Sequence, residues 1–261
     1  MPAAASLRYL LPVLVGLATL GGWEALVRLN EIPAYILPGP LLIGQTLVAD
    51  WGTLWPSLLV TLEITALALV VATVGGVVLA LLFAQSRLIE LTLFPYAVVL
   101  QVTPIVAIAP LILIYVDDTR AALLICAWIV AFFPILSNTT LGLVSTDPNL
   151  LDLFRLYGAG RFRTLAWLRF PAALPYFLGG LRIAGGLSLI GAVVAEFAAG
   201  TAGSGSGLAY RILEAGYRLN VPRMYAALVM IAGVGILIFL ALTGLNHLIL
   251  RRWHESARSA E

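Results

Sequence analysis

Apolar stretches of about twenty residues recur along the whole chain, and each is long enough to cross a bilayer core of about 30 Å as an α-helix. Hydrophobic residues make up 61% of the sequence and charged residues only 11%. A soluble domain carries roughly 25% charged residues, so this composition cannot cover a surface that faces water. The sequence therefore predicts an all-α integral membrane protein.

About six spans are predicted, within a single membrane domain that takes in residues 1–261. In the first span, Trp23 and Glu24 stand where a small-residue cleavage site would lie, so this span is expected to remain as an anchor. Residues 41–51 are expected to form a short segment on the membrane interface. The predicted spans are residues 9–27, 57–84, 91–115, 121–144, 176–199 and 224–250.

Four prolines are expected to interrupt the third and fourth spans, and to free backbone groups that the protein or water must satisfy. They are open to two interpretations, as packing kinks or as points where a helix bends between two states. These prolines are Pro95, Pro104, Pro110 and Pro134.

Arginine supplies all 15 basic residues, since the sequence contains no lysine. With the N-terminus inside, roughly ten of the arginines fall in inner segments and five in outer ones, which predicts that both termini are cytoplasmic. The absence of lysine excludes a phosphate-binding loop of the form GxxxxGK[ST] and Schiff-base chemistry. The chain is therefore not expected to hydrolyse ATP by the usual route.

An arginine-rich hairpin is predicted over residues 147–171, between the fourth and fifth spans. Asp147 is expected to cap a short helix that begins at Pro148 and ends at the glycines of the sequence LYGAG. A second short helix is expected over residues 161–169, ending near Phe170, because the residue before a proline disfavours helical geometry. Arginine content alone leaves a solvated connector bound to lipid phosphates as an alternative.

The spacing within this hairpin resembles the EAA loop of ABC importer permeases of the binding-protein-dependent type. The pattern EAA, three residues, G, nine residues, I-x-L-P has its acid, its glycine and its proline in register here, with bulky residues in place of the alanines. The matching residues are Asp152, Leu153, Phe154, Gly158, Leu168, Phe170 and Pro171.

In that family the loop is a coupling helix that lies in a groove of an ATPase subunit. The resemblance implies that Asp152 and Gly158 serve as docking and turn residues. Leu153 and Phe154 would then have to fit a groove that usually receives alanine. It also implies coupling roles for Arg161, Leu168 and Pro171.

Other stretches extend the resemblance over roughly residues 30–253, to the permeases of nitrate, taurine and alkanesulfonate importers. They include ILPGP, VTPIVAIAPLILIY, FFPILSNTTLGL, FPAALPYFLGGLRIAGG and VVAEFAAGTAGSGSG. The stretch GSGLAYRILEAGYRLNVPRMYAAL is similar to the branch associated with pyrimidine-type vitamin precursors. The expected cargo is thus a small polar organic solute, an oxyanion or such a heterocycle.

The resemblance implies a type I importer permease in the bacterial inner membrane, acting as a homodimer. Its partners would be two copies of an ATPase, which use ATP and Mg²⁺, and an external solute-binding protein. As a transport subunit, the chain itself is expected to be no enzyme and to bind no cofactor and no nucleic acid. No metal site is expected either, because Cys126, His247 and His254 lack partners at metal-ligand spacing.

Polar residues inside the spans are the candidates for the transport path, since such groups are expensive in a bilayer unless they face protein or water. Helix–helix hydrogen bonding is the alternative for each of them. The candidates are Glu63, Gln101, Thr103, Asn138, Ser188 and Glu196.

An outer loop is expected over residues 200–222, with a flexible turn, GTAGSGSG, followed by an amphipathic interfacial helix. Its apolar face is expected to carry Leu208, Ile212, Ala215 and Leu219, and its polar face Arg211, Glu214 and Arg218.

Two other classes of protein compete with the permease interpretation. A stand-alone secondary transporter or channel would work without an ATPase, and usually shows an internal repeat with paired broken helices. A membrane enzyme or assembly subunit would carry a cluster of His, Cys or carboxylate side chains. No repeat and no such cluster is evident in the sequence.

Overall fold

The computed structural model describes residues 2–200 and 205–251, with side chains from Leu10 onward. Part of the expected flexible turn (201–204) and His254 lie outside the described residues. Every regular element in the described residues is helical. The helices are α1 Pro2–Leu29, α2 Pro40–Ala49, α3 Trp51–Gln85, α4 Arg87–Val102, α5 Ile105–Tyr115, α6 Thr119–Val144, α7 Pro148–Leu156, α8 Arg161–Thr164, α9 Phe170–Ala199, α10 Leu208–Tyr217 and α11 Val221–Leu250.

Five stretches of the described residues are single helices long and apolar enough to cross a membrane, and α4 with α5 makes a sixth span if the pair is counted as one. This confirms the prediction of about six spans. The short helix α2 falls where an interfacial segment was expected. The expected interruption of the third span is confirmed at Pro104, where α4 and α5 meet at 102°.

The bend between α4 and α5 follows from the local sequence. Thr103 precedes Pro104 and has extended backbone angles, φ −73° and ψ 121°, as steric conflict with the proline ring favours. Pro104 then caps α5, and no side-chain hydrogen bond is needed to turn the chain. The other three prolines, expected to interrupt their spans, lie inside α4, α5 and α6. The helix continues through each of them, as membrane helices can when neighbouring groups satisfy the backbone carbonyl that a proline leaves free.

The helix α6 forms the centre of the bundle, with α9 and α3 packed along it. Small residues allow close approach between the helices, as is common in membranes. A methyl group added at Gly191 would lie 2.8 Å from Cα of Ala127, and one at Gly180 would lie 2.7 Å from the Pro134 carbonyl oxygen. The α6–α9 contact is therefore made by backbone against backbone.

The first span, α1, lies at the edge of the bundle and its apolar side chains are mostly exposed. Its outer end is attached by Trp23, whose ring lies 5.9 Å from that of Tyr225 on α11. Glu24 accepts a hydrogen bond from the Leu41 N–H at 3.2 Å. At the same end of the molecule, Arg223 at the start of α11 forms a two-point ion pair with Asp50, at 2.5 and 2.9 Å.

Candidate functional site: a projecting hairpin and the polar residues of the spans

Capping residues close in sequence fix both ends of helix α7. The Asp147 carboxylate accepts the Asn149 N–H at 2.8 Å, and Pro148 occupies the first turn. At the other end Gly158 takes a left-handed conformation, φ +68°, and the Ala159 N–H donates to the Phe154 carbonyl at 2.9 Å. Both predicted ends of this helix are confirmed.

The hairpin tip presents large apolar side chains that no other described residue covers. Leu156, Tyr157 and Phe162 are 85%, 83% and 79% exposed, and α7, described throughout, has no buried residue. An exposed apolar patch with a polar rim is typical of a protein interaction site. Asp152 and Arg155 supply that rim, as an exposed ion pair of 2.9 Å.

The second helix of the hairpin does not end near Phe170, as the sequence predicted. It runs through a single π-helical turn, Leu165–Arg169, directly into α9. The Phe170 N–H donates to the Leu165 carbonyl, five residues earlier. This wider turn precedes Pro171. A proline has no N–H to donate, and in a regular α-helix its ring clashes with the carbonyl four residues earlier, which favours a wider turn at this point.

The hairpin is also bound to the inner end of α3. Arg169 in the π turn donates from Nη1 to the Ala84 carbonyl at 3.3 Å, across 85 positions of sequence. Of the residues expected to couple to an ATPase, Asp152, Leu153, Gly158 and Arg161 are exposed. Phe154, Leu168 and Pro171 are half-buried at the base of the hairpin.

Two candidate path residues meet at the break between α4 and α5. Gln101 and Thr103 both line a cavity of about 310 Å³, together with Pro104, Val130 and Leu187. Gln101 is exposed, while the Thr103 hydroxyl donates to the Val99 carbonyl of its own helix at 2.6 Å.

A separate cavity of about 600 Å³ contains Glu63 and the loop that precedes α6. Its polar lining consists of Glu63, Asp117, Asp118, Thr119 and Arg120, and the rest is mostly aliphatic. The Glu63 carboxylate lies 4.0 Å from the Arg120 guanidinium, and both side chains are more than half exposed. Glu63 thus lines this cavity beside the loop before α6, and Arg120 is a lining residue that sequence reasoning missed.

Asn138 and Ser188 bond to their own helices. The Asn138 amide donates to the Pro134 carbonyl at 2.8 Å, and the buried Ser188 hydroxyl donates to the Gly185 carbonyl at 2.9 Å. No group of three or more His, Cys, Asp or Glu side chains within residues 2–200 and 205–251 is placed to hold a metal ion.

Glu196 is buried and attaches α10 to the bundle. Its carboxylate accepts the Ala209 N–H at 3.0 Å, in the first turn of α10, where the helix dipole favours negative charge. The neighbouring Leu208 N–H donates to the Thr61 hydroxyl of α3 at 2.9 Å. Ser57 and Thr61, four residues apart on one face of α3, were missed, although that spacing of hydroxyls in an apolar helix was a signal.

The polar face expected on α10 is only partly correct. Arg218 is exposed, but the Arg211 and Glu214 side chains are only 18% and 16% exposed. Arg211 donates to the Ser57 hydroxyl at 2.9 Å and to Glu214 at 2.9 Å. The hydrogen bond from Arg211, with the further positive charges of Arg218 and Arg223, lowers the pKa of Glu214.

The fold defines a class: a multi-pass helical membrane protein with a hairpin that exposes apolar side chains beyond the spans. The family model described as "Binding-protein-dependent transport system inner membrane component" matches residues 72–255. The chain belongs to this family.

The chain is 34% identical to a probable ABC transporter permease protein of Haemophilus influenzae, over 92% of this chain and 97% of the relative. It is 33% identical to the riboflavin transport system permease protein of Chloroflexus aurantiacus (90% and 86% covered). Against the formylaminopyrimidine transport permease protein of Halalkalibacterium halodurans it is 31% identical (92% and 94% covered). Permeases named for aliphatic sulfonates, nitrate and taurine are related at lower identity.

In fold, the chain is similar to the crystal structure of an amino acid ABC transporter with histidines, with a TM-score of 0.62 and 21% sequence identity, covering 78% of this chain and 96% of that one. Family and fold together make the chain a multi-pass inner-membrane transport component rather than an enzyme. A component of this family works with an ATPase and a solute-binding protein.

Proposed function

We propose that this chain is the permease of an ATP-driven importer for a small nitrogen heterocycle, of the pyrimidine-precursor or flavin class. Two of its relatives with more than 30% identity are named for riboflavin and for formylaminopyrimidine transport. The proposed assembly has two copies of this chain and two ATPase subunits, which bind ATP and Mg²⁺, and it receives the solute from an external binding protein.

The charge of the cavity of about 600 Å³ that contains Glu63 is the observation that supports the substrate class. Three carboxylates, Glu63, Asp117 and Asp118, face one guanidinium, Arg120, in a wall that is otherwise mostly aliphatic. Such a lining repels nitrate or a sulfonate, and it suits a neutral or cationic ring whose N–H groups find acceptors while its faces contact apolar side chains.

The hairpin is the proposed coupling device. Its uncovered tip, at Leu156, Tyr157 and Phe162, offers the apolar contact that an ATPase groove requires. Since the helix runs unbroken from Arg161 to Ala199, movement of the tip is delivered directly to a membrane-spanning helix. ATP binding would draw the two hairpins together and turn the path outward, and hydrolysis would reset it.

Uptake of labelled solutes into proteoliposomes, containing the assembled transporter and its binding protein, tests the substrate class. We expect ATP-dependent uptake of formylaminopyrimidine or riboflavin, and little of taurine or nitrate. Glu63→Gln should raise the KM for the heterocycle, because it removes an acceptor charge. Glu90→Gln, at the inner end of α4, is the matched control and should not change it. Preferential uptake of the oxyanions would refute the assignment.

Copurification tests the coupling role separately. Deletion of residues 152–170 should release the ATPase while leaving the membrane helices folded, as judged by size-exclusion chromatography. An ATPase that stays bound to the deleted permease, or solute uptake without any ATPase, would contradict the coupling role.

A further inference from the structure

A polar cavity of about 440 Å³ lies where the hairpin meets the inner end of α3. Three arginines from three neighbouring segments, Arg155, Arg161 and Arg169, line it together with Ala84 and Gln85 of α3. None of its lining residues is acidic. Three guanidinium groups around one polar space, without a carboxylate in its wall, make the cavity electropositive.

The charges in this cavity are incompletely satisfied. Arg169 gives one hydrogen bond to a backbone carbonyl, but its Nε is buried and has no partner among the described residues. Arg161 forms no ion pair within the described part of the chain. Arg155 is paired only with Asp152, at 2.9 Å on the exposed side of α7. A buried donor left without an acceptor costs free energy, so an anion in the cavity would stabilise this arrangement.

The position of the cavity relative to the bilayer indicates which anion is available to bind there. Its α3 wall is the last turn of a long apolar span, and Trp167, in the adjoining π turn, is 78% exposed. Exposed tryptophans beside the end of a span are typical of the headgroup level of a bilayer. Basic pockets between helices on the cytoplasmic side suit anionic lipid headgroups, and guanidinium forks match phosphate oxygens geometrically.

We propose that this cavity binds the phosphate of an anionic phospholipid from the inner leaflet. Bound there, the headgroup would touch both the hairpin and α3. It would set the angle at which the hairpin is offered to a cytoplasmic partner. Lipid binding there requires neither the proposed substrate nor the ATPase, so it can be tested on the permease alone.

Native mass spectrometry of the purified permease, with phosphatidylglycerol and phosphatidylcholine in competition, measures the binding. We expect selective retention of phosphatidylglycerol, and a loss of about fivefold in its affinity for Arg161→Gln, as for one arginine near an anionic surface. Arg163→Gln is the matched control, since it removes the same charge from the same helix but does not line the cavity. Size-exclusion profiles of the three proteins establish that each is folded.

Other results would overturn the proposal. Equal retention of the two lipids, or equal phosphatidylglycerol affinity in all three proteins, would mean that the cavity does not select a lipid phosphate. Stabilisation by inorganic phosphate that depends on Arg161, without phosphatidylglycerol binding, would assign the site to a free anion. If Arg161→Gln released the ATPase and left lipid binding intact, the occupant would be an acidic side chain of that partner.

Discussion

The turn at the hairpin tip offers the sharpest test of coupling, through Gly158→Val. Gly158 has φ +68° and no atom within 4 Å of where a Cβ would lie, so the effect of a side chain there is backbone strain and not a clash. A left-handed conformation costs a residue with a Cβ roughly 1–2 kcal/mol, and valine is a poor case because it is β-branched.

This strain converts directly into ATPase affinity. If the turn rearranges to relieve it, the fraction of hairpins that present the tip correctly falls by the same free energy, and the apparent Kd rises by about 5- to 30-fold. Binding of purified ATPase to the permease in nanodiscs, followed by biolayer interferometry, measures this. Stimulated ATP hydrolysis by the assembled complex should fall in parallel when the ATPase is subsaturating.

A matched control stands two residues away. Gly160 also has open space around it, but its backbone is extended, φ −67° and ψ 164°, a conformation that valine adopts readily. Gly160→Val should therefore bind the ATPase like the wild type. Equal loss in both variants would show that added bulk, and not the conformation of the turn, governs docking. If neither variant loses affinity, the ATPase does not bind this tip.

Three further substitutions test the packing and the outer loop. Gly191→Ala should lower stability in detergent melts by about 1–3 kcal/mol, since its methyl would meet the α6 backbone at 2.8 Å, whereas Gly186→Ala, on the same helix in open space, should not. Thr61→Val should cost about 1–3 kcal/mol and increase proteolysis near α10, because a buried N–H of that helix loses its acceptor; Thr73→Val, whose hydroxyl bonds only within α3, should have a smaller effect. The lowered pKa of Glu214 means that its ion pair stabilises the fold above the ordinary value of 4.5 and loses this contribution as the pH falls through the lowered pKa. Glu214→Gln should remove this part of the acid sensitivity of the melting temperature, and an unchanged pH profile would contradict the role of that ion pair.

What the sequence could predict was mostly local. The ends of α7 depend on Asp147 and Gly158, each of which acts within a few residues, and hydropathy over about twenty residues is enough to find the spans. The structure departs from the sequence predictions where residues distant in sequence make contact. For Glu196 the sequence leaves a path role and a structural hydrogen bond both open, because it does not show that the carboxylate accepts the Ala209 N–H, 13 positions later.

The same limit applies at the inner end. Pro171 predicts a helix end when only its neighbours are considered. The π turn before it widens the helix, and Arg169 within that turn reaches a carbonyl of α3. Neither feature has a signature in the sequence. The break in the third span, by contrast, was predicted, since Pro104 disfavours helical geometry in Thr103 before it.

These contacts decide which parts of the permease can move separately. The helix α9 is bound to α6 through Gly191 and Gly180 with no space for sliding. It is tied to α3 at both ends, by Arg169 at the inner end and, through α10, by Glu196 and the α3 hydroxyls at the outer end. Helices α3, α6 and α9 should therefore move as one body when the hairpin is pulled.

The backbone movement between inward-facing and outward-facing states must then occur outside these three helices. Within the chain, the 102° break between α4 and α5 is the place where backbone angles can change without disturbing the α3–α6–α9 packing, and Gln101 and Thr103 line a cavity at that break. A disulfide introduced between α6 and α9 should accordingly leave transport intact. One that fixes α5 to α6 across this cavity should block transport while ATPase binding persists, and unimpaired uptake with that second disulfide formed would place the moving joint outside α4 and α5.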